Sequence, residues 1–175
     1  MYSRPLDKHQ INLYGGPRSR SPKSRRRALG SILIDSANTP LREDRNRTHT
    51  LRDATRHPEF ELARWAAANM DAADRDAATV YTSGEHCAMC SAAHAWAGLG
   101  RIVYVASMDQ LNAWLEEFRL EMEKKGVAMG EASLELPVAP LSIQSVAPGV
   151  EVQSPVPELE TEIKALHRRC AGLGP

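Results

Sequence analysis

The chain has 175 residues, 42% hydrophobic and 25% charged, which suits one globular domain and leaves little room for a second of ordinary size. Its net charge is zero, but residues 1–30 carry eight basic groups against Asp7 alone, so this segment is +7 and the remainder is −7. No apolar run approaches the roughly 18 residues of a membrane span, and the three cysteines do not make a disulfide framework, so the sequence predicts a cytoplasmic protein without a membrane segment.

The first 27 residues predict a basic, flexible arm. They contain Gly15-Gly16-Pro17 and end in Arg25-Arg26-Arg27. Turn-forming and charged residues in this density leave too little apolar surface to bury a face. We therefore divide the chain into an arm, 1–27, and a folded domain, 28–175.

The folded domain alternates short apolar strands with amphipathic helices. A branched apolar run predicts a strand at 29–35, and a turn at 36–40 leads to a second strand at 41–46. The pattern then predicts a helix at 58–70, a strand at 77–82, a helix at 87–97, a strand at 101–106 and a helix at 111–125. After Gly126 it weakens to an edge strand at 138–143 and a closing helix at 157–169. This succession predicts a layered α/β fold with parallel strands in its second half.

Two short motifs carry chemistry: His57-Pro58-Glu59, and Cys87-Ala88-Met89-Cys90 about one helix and one strand later. One imidazole and two thiolates are the protein ligands of a catalytic zinc ion, Zn²⁺, that keeps an open fourth position. A carboxylate two residues after the histidine can move protons for an activated water. The combination predicts a hydrolytic metal site with His57, Cys87 and Cys90 as ligands and Glu59 as the catalytic residue.

The predicted elements place these residues suitably. Cys87 and Cys90 are three apart at the start of a helix, so both sulfurs point to one side. The helix N-terminus also favours the thiolate, which is the form that binds zinc. His57 heads the other helix, and Glu59 does not share its helix face, so Glu59 need not compete for the metal.

In order and spacing, these residues resemble the zinc-dependent nucleobase deaminases, over residues 29 to about 108. The branch that holds guanine, cytosine and tRNA adenosine deaminases matches best, because Asn46 stands eleven residues before His57, as a substrate-binding asparagine does there. One residue departs from the pattern: His86 precedes the first cysteine, where the family usually has proline. That change leaves zinc binding intact and affects the shape of the pocket.

The resemblance implies a three-layer α/β/α cytidine deaminase-like fold with a central mixed five-stranded sheet, and a homodimer. It also implies hydrolytic deamination, in which zinc lowers the pKa of water from 15.7 toward about 7 and Glu59 passes the proton to the base and the departing ammonia. Asn46 is then a substrate-binding residue, with Trp96 and His86 as further candidates. Each has an alternative role: Asn46 as a loop residue, Trp96 in the core, and His86 as a partly exposed turn residue.

Three functions remain open at this point. A free nucleobase or related aminated heterocycle, guanine-like or cytosine-like, is the first choice of substrate, with a nucleoside second. A tRNA adenosine deaminase is the alternative, since arginines of the arm can neutralise phosphates, although the acidic folded part favours a small molecule over nucleic acid. A non-enzymatic module with structural zinc is the third, in which His94 completes a closed four-ligand site.

Overall fold

The computed structural model describes residues 30–126, 138–153 and 156–174. The predicted arm, 1–27, lies outside the described residues. Within them, none of the helices is both long enough and apolar enough to cross a membrane.

A mixed sheet of five strands forms the centre of the fold, as predicted. The strands are β1 (Gly30–Ile34), β2 (Pro40–Arg45), β3 (Thr79–Gly84), β4 (Arg101–Ala106) and β5 (Val152–Gln153). Their order in the sheet is β2-β1-β3-β4-β5. Strand β1 pairs antiparallel with β2 and β3, whereas β3, β4 and β5 run parallel. The parallel strands in the second half of the domain confirm the sequence prediction.

Helices cover both faces of this sheet. In chain order they are α1 (Thr48–Leu51), α2 (Pro58–Asn69), α3 (Ala72–Ala77), α4 (Ala88–Ala97), α5 (Met108–Lys124), α6 (Ile143–Val146) and α7 (Pro157–Cys170). One buried cluster joins α2 and α4 to Leu33 of β1 and Val80 of β3. A second joins α5 and α7 to Val103 and Val105 of β4. Apolar residues therefore cover the central strands from both sides, and the fold has three layers.

The structure corrects the predicted edge strand at 138–143. No strand forms there; instead, Ser142 accepts a hydrogen bond from the backbone of Ser145 and starts the short helix α6. A serine at this position satisfies a free N–H of the first helical turn, and Pro140 cannot donate to a strand ladder. The edge strand beside β4 is instead the two-residue strand β5, which follows a segment rich in proline and glycine.

A bidentate ion pair between Glu121 and Arg168 joins helices α5 and α7. Both terminal nitrogens of Arg168 contact the carboxylate of Glu121, and the Arg168 hydrogen bonds lower the pKa of Glu121 from its usual 4.5 to about 2. A carboxyl group with a lowered folded-state pKa stabilises the fold above the unfolded pKa, and this contribution is lost as the pH falls through the folded value.

We expect Glu121→Gln to lower the melting temperature at pH 7, because the charged acceptor is lost. The difference from wild type should shrink as the pH falls from about 4.5 toward 2. Glu117→Gln is the matched control, since Glu117 makes a single contact with Lys164 across the same two helices and its side chain is 54% exposed, against 26% for Glu121. Melting curves between pH 7 and pH 3 measure both; an equal loss in the two variants at every pH would contradict the prediction.

Candidate active site

Three potential metal ligands meet at one edge of the sheet. His57 lies immediately before α2, Cys87 lies immediately before α4, and Cys90 lies in the first turn of α4. The sulfurs of Cys87 and Cys90 each lie 3.6 Å from Nδ1 of His57, and 3.6 Å from one another. Among the described residues, this is the group of histidine, cysteine and acidic side chains that could hold a metal ion. The two predicted helix starts are therefore side by side.

The spacing of these three atoms fits zinc. Typical zinc bonds of about 2.3 Å to sulfur and about 2.0–2.1 Å to nitrogen give tetrahedral edges of about 3.8 Å between sulfurs and about 3.6 Å between sulfur and nitrogen. The observed separations are all 3.6 Å. Both cysteines are free, and a sulfur separation this large is far beyond the roughly 2.05 Å of a disulfide bond.

The electrostatics of the two thiols differ. The hydrogen bond between the two sulfurs, with a smaller contribution from His57, lowers the pKa of Cys87 to about 4. The same sulfur–sulfur contact raises the pKa of the Cys90 thiol, and burial raises it further. This asymmetry favours the thiolate form of one of the two sulfurs, which is the form that binds a cation.

Glu59 lies in the first turn of α2 and is only 6% exposed. Its Oε2 is 3.9 Å from the sulfur of Cys90. Its Oε1 accepts hydrogen bonds from Thr82 Oγ1, at 2.9 Å, and from Ser31 Oγ, at 3.1 Å. Burial raises the pKa of this carboxyl group, and the Thr82 hydrogen bond opposes that shift. A carboxylate is therefore held beside the three ligand atoms without being one of them.

Asn46 directly follows β2 and is 6% exposed. Its Oδ1 accepts hydrogen bonds from the backbone and hydroxyl of Thr48, while its buried Nδ2 has no hydrogen-bond partner among the described residues. The backbone N–H of Arg47 donates to the carbonyl of Arg56, which ties this loop to the residue before His57. A buried amide donor without a partner among the described residues, in a loop tied to the residue before His57, is suited to a ligand with an acceptor group.

No protein-family model matches the chain, and no curated protein sequence matches it. Solved structures do. A guanine deaminase from Nitrosomonas europaea aligns with 98% of this chain and 97% of its own, at 17% identity and a TM-score of 0.58. The protein NE0047 in complex with 2,6-diaminopurine aligns with 95% of this chain and 90% of its own, at 19% identity and a TM-score of 0.54.

The chain has the cytidine deaminase-like fold. At these identities the similarity establishes the fold and not the substrate. A tRNA:A34 deaminase is 31% identical over 46% of this chain, but the aligned part spans only 61% of that protein and the TM-score is 0.40.

Within this deaminase-like fold, Trp96 lies away from the three potential metal ligands. It is 91% exposed, six residues beyond Cys90 on α4, which is about 9 Å along the helix axis. It lines an open groove with residues at the start of β4, including Gly100 and Arg101, at the opposite edge of the sheet. The alternative of a core position is therefore wrong, because this side chain is exposed, whereas a contact of Trp96 with substrate stays a prediction.

His86 is also placed differently from expectation. It is 1% exposed, and its ring contacts that of His94 edge to face, with centroids 5.4 Å apart. Burial holds the pKa of His86 well below its usual range, so the ring is neutral. His86 is not a partly exposed turn residue, and its contact with substrate stays a prediction.

His94, the fourth ligand in the alternative of a closed structural zinc site, does not lie with the other three residues. His94 Nε2 lies 2.8 Å from the carbonyl oxygen of Gly100, at the far end of α4. In the described part of the chain, His94 is not among the atoms grouped with His57, Cys87 and Cys90. This geometry favours a three-ligand site.

Ser31 and Thr82 are site residues that sequence reasoning missed. Each is a hydroxyl residue inside a run that otherwise reads as a buried strand. That polar interruption is the available signal, because a buried hydroxyl needs a partner. The sequence does not say which partner it has.

We expect the purified protein to bind about one zinc ion per chain, as in catalytic sites with three protein ligands. Cys90→Ser should weaken the affinity for zinc. The loss should exceed the roughly 10–100-fold effect of changing a residue that only contacts a metal ligand. Cys170→Ser, which alters the third cysteine, and His94→Gln, which alters the suggested fourth ligand, should both retain zinc. Metal analysis and chelator competition decide this; loss of zinc in His94→Gln to the extent seen in Cys90→Ser would establish the closed site.

Proposed function

We propose that this protein is a zinc-dependent hydrolytic deaminase. Its substrate would be a free nucleobase or a related aminated heterocycle, whose exocyclic amine becomes a carbonyl while ammonia is released. The observation that carries the proposal is the buried carboxylate of Glu59, with Oε2 3.9 Å from Cys90 Sγ and next to three atoms spaced for zinc. A structural zinc site gives that carboxylate no role.

The residues divide the reaction between them. His57, Cys87 and Cys90 would hold the zinc ion, which supplies Lewis acidity and makes water acidic enough to lose a proton near neutral pH. Glu59 accepts that proton and delivers it to the ring nitrogen next to the carbon under attack. As the carbon–nitrogen bond breaks, a second proton leaves the new hydroxyl group and goes with the amine. One water is consumed, and one ammonia and one carbonyl are formed.

Asn46 would recognise the base. Its Oδ1 is occupied by Thr48, so the buried Nδ2 is the group available to donate to a ring carbonyl or ring nitrogen. An aminated purine is favoured within the proposed substrate class, since NE0047 was solved with 2,6-diaminopurine and its N66A mutant with 8-azaguanine. We propose residues 28–175 as the catalytic domain and 1–27 as an arm outside it.

The enzyme would act as a homodimer. On α4, Trp96 and Ala95 are exposed and Ala92 is partly exposed, and the three lie at helical spacing on one side of the helix. A large aromatic side chain that is 91% exposed is an unusual surface residue and is characteristic of interfaces. This surface supports a contact between two copies at α4.

We expect Glu59→Gln to retain zinc and to lose turnover by about 10²–10⁴-fold, the usual contribution of a general acid–base residue. Glu61→Gln is the matched control on the same helix, because the carboxylate of Glu61 pairs with Arg56 and Arg64. Ammonia release from purines, pyrimidines, triazines and nucleosides is the assay. Retained turnover in Glu59→Gln would contradict the mechanism, and activity confined to tRNA would replace the proposed substrate class.

We expect the wild-type protein to be a dimer at micromolar concentration and Trp96→Glu to shift it toward monomer, because a charge would be buried in an apolar contact. Leu120→Glu is the control, since Leu120 is another exposed apolar side chain, on α5. Light scattering coupled to size-exclusion chromatography measures the mass. A monomeric wild type, or a dimer that persists in Trp96→Glu, would exclude this interface.

A further inference from the structure

Two buried hydroxyl groups lie directly beneath Glu59. Ser31 of β1 and Thr82 of β3 are paired opposite one another in the antiparallel ladder, with their side-chain oxygens 2.9 Å apart. Ser31 is 0% exposed and Thr82 is 4% exposed. Because side chains alternate along a strand, both project to the sheet face that also carries Leu33 and Val80, the face covered by α2.

Both hydroxyl groups contact the same carboxylate oxygen. Thr82 Oγ1 lies 2.9 Å from Glu59 Oε1, and Ser31 Oγ lies 3.1 Å from it. The other oxygen, Oε2, is on the side of the metal ligands, 3.9 Å from Cys90 Sγ. The two ends of the carboxylate are thus in different environments, one against the sheet and one toward the site.

We infer that Ser31 and Thr82 are positioning residues that hold Oε1 against the sheet and so make Oε2 the oxygen that transfers the proton. The inference rests on the proposed deaminase function and adds residues to it. Each hydroxyl has one proton: that of Thr82 goes to Oε1, and that of Ser31 goes either to Oε1 or to Thr82 Oγ1. In both arrangements Oε1 accepts at least one hydrogen bond, and Oε2 keeps its lone pairs for the reaction.

The position of the pair on two strands explains how it can hold a long side chain. A glutamate in the first turn of a helix has several rotamers, whereas Ser31 and Thr82 are fixed by backbone pairing on both sides of β1. Orienting a proton-transfer group in advance lowers the cost of reaching the reactive geometry. The burial of two hydroxyl groups in an otherwise apolar sheet is also explained, because each finds a hydrogen-bond partner in the other and in Glu59.

The neighbouring residue Ser83 shows that a buried hydroxyl on this strand need not serve Glu59. It points to the opposite face of β3, where its Oγ accepts a hydrogen bond from the backbone N–H of Gly30, at 3.1 Å. Ser83 is about as buried as Thr82, at 5% exposed. Ser83→Ala therefore removes a hydroxyl from the same strand without changing the surroundings of Oε1.

The test uses the full-length, zinc-loaded protein with Ser31→Ala, Thr82→Val and the double variant. If the hydroxyls position Glu59, kcat should fall by about 10-fold in each single variant and by up to about 100-fold in the double variant, the range of outer-shell partners of a metal site. KM and zinc content should be unchanged. Thr82→Ser, which keeps the hydroxyl, should restore kcat to near the wild-type value, and Ser83→Ala should leave it unchanged.

A second readout does not depend on turnover. In crystal structures of the zinc-loaded double variant, the Glu59 carboxylate should leave its wild-type position or occupy two positions, whereas Ser83→Ala should keep it in one. An unmoved carboxylate, unchanged kcat in the double variant, or an equal loss in Ser83→Ala would overturn the inference. A wild-type protein that deaminates no base would refute the proposed function alone, because the crystal structures would still decide the position of Glu59.

Discussion

A buried carboxylate constrains the arrangement of this fold more than any other single group. Glu59 is removed from water, and an ionised carboxylate in such a place is costly unless hydrogen bonds or a cation compensate it. Two hydroxyl groups contact Oε1, and Oε2 lies beside the sulfur and imidazole atoms of three residues that could hold a metal ion. The stability of this buried group depends on three features of the fold. They are the register of β1 against β3, the start of α2 and the start of α4.

Interactions near the two ends of α4 help to hold this helix in place. Glu85, between β3 and Cys87, accepts backbone hydrogen bonds from Met108 at the start of α5 and from Ile143 at the start of α6. At the other end of α4, Gly100 accommodates the chain where a Cβ atom would come 2.1 Å from the carbonyl oxygen of Asp76. The carbonyl of Gly100 also meets the ring of His94. Helix α4 is thus fixed at both ends, and the two cysteines are fixed with it.

The histidine pair beneath α4 shows how the chain accommodates His86. The ring is buried against His94 and is kept neutral by its surroundings. A neutral imidazole avoids the larger cost of burying a charge next to His57. The side chain therefore fills space under the helix, while the backbone of the next residue still presents Cys87 to the cluster.

The sequence by itself indicated the groups that form the candidate site and the order of the main elements. His57, Glu59, Cys87 and Cys90 have side chains whose reactivity follows from their type and spacing, and the strand and helix periods of residues 29–125 predicted the central elements to within a few residues. The predicted strand at 138–143 was wrong because a local serine cap and a proline outweigh its weak apolar pattern.

Only the tertiary structure decided which distant residues meet. The contact of Ser31 with Thr82 and Glu59 depends on the pairing of two residues that are 51 apart in the sequence. A one-residue shift of β1 against β3 would place the two hydroxyls on opposite faces of the sheet. The exposure of Trp96 and the burial of His86 likewise depend on how α4 lies on the sheet. Local sequence specifies helices, strands and reactive groups, but the partners of a buried polar group are chosen by packing across the whole fold.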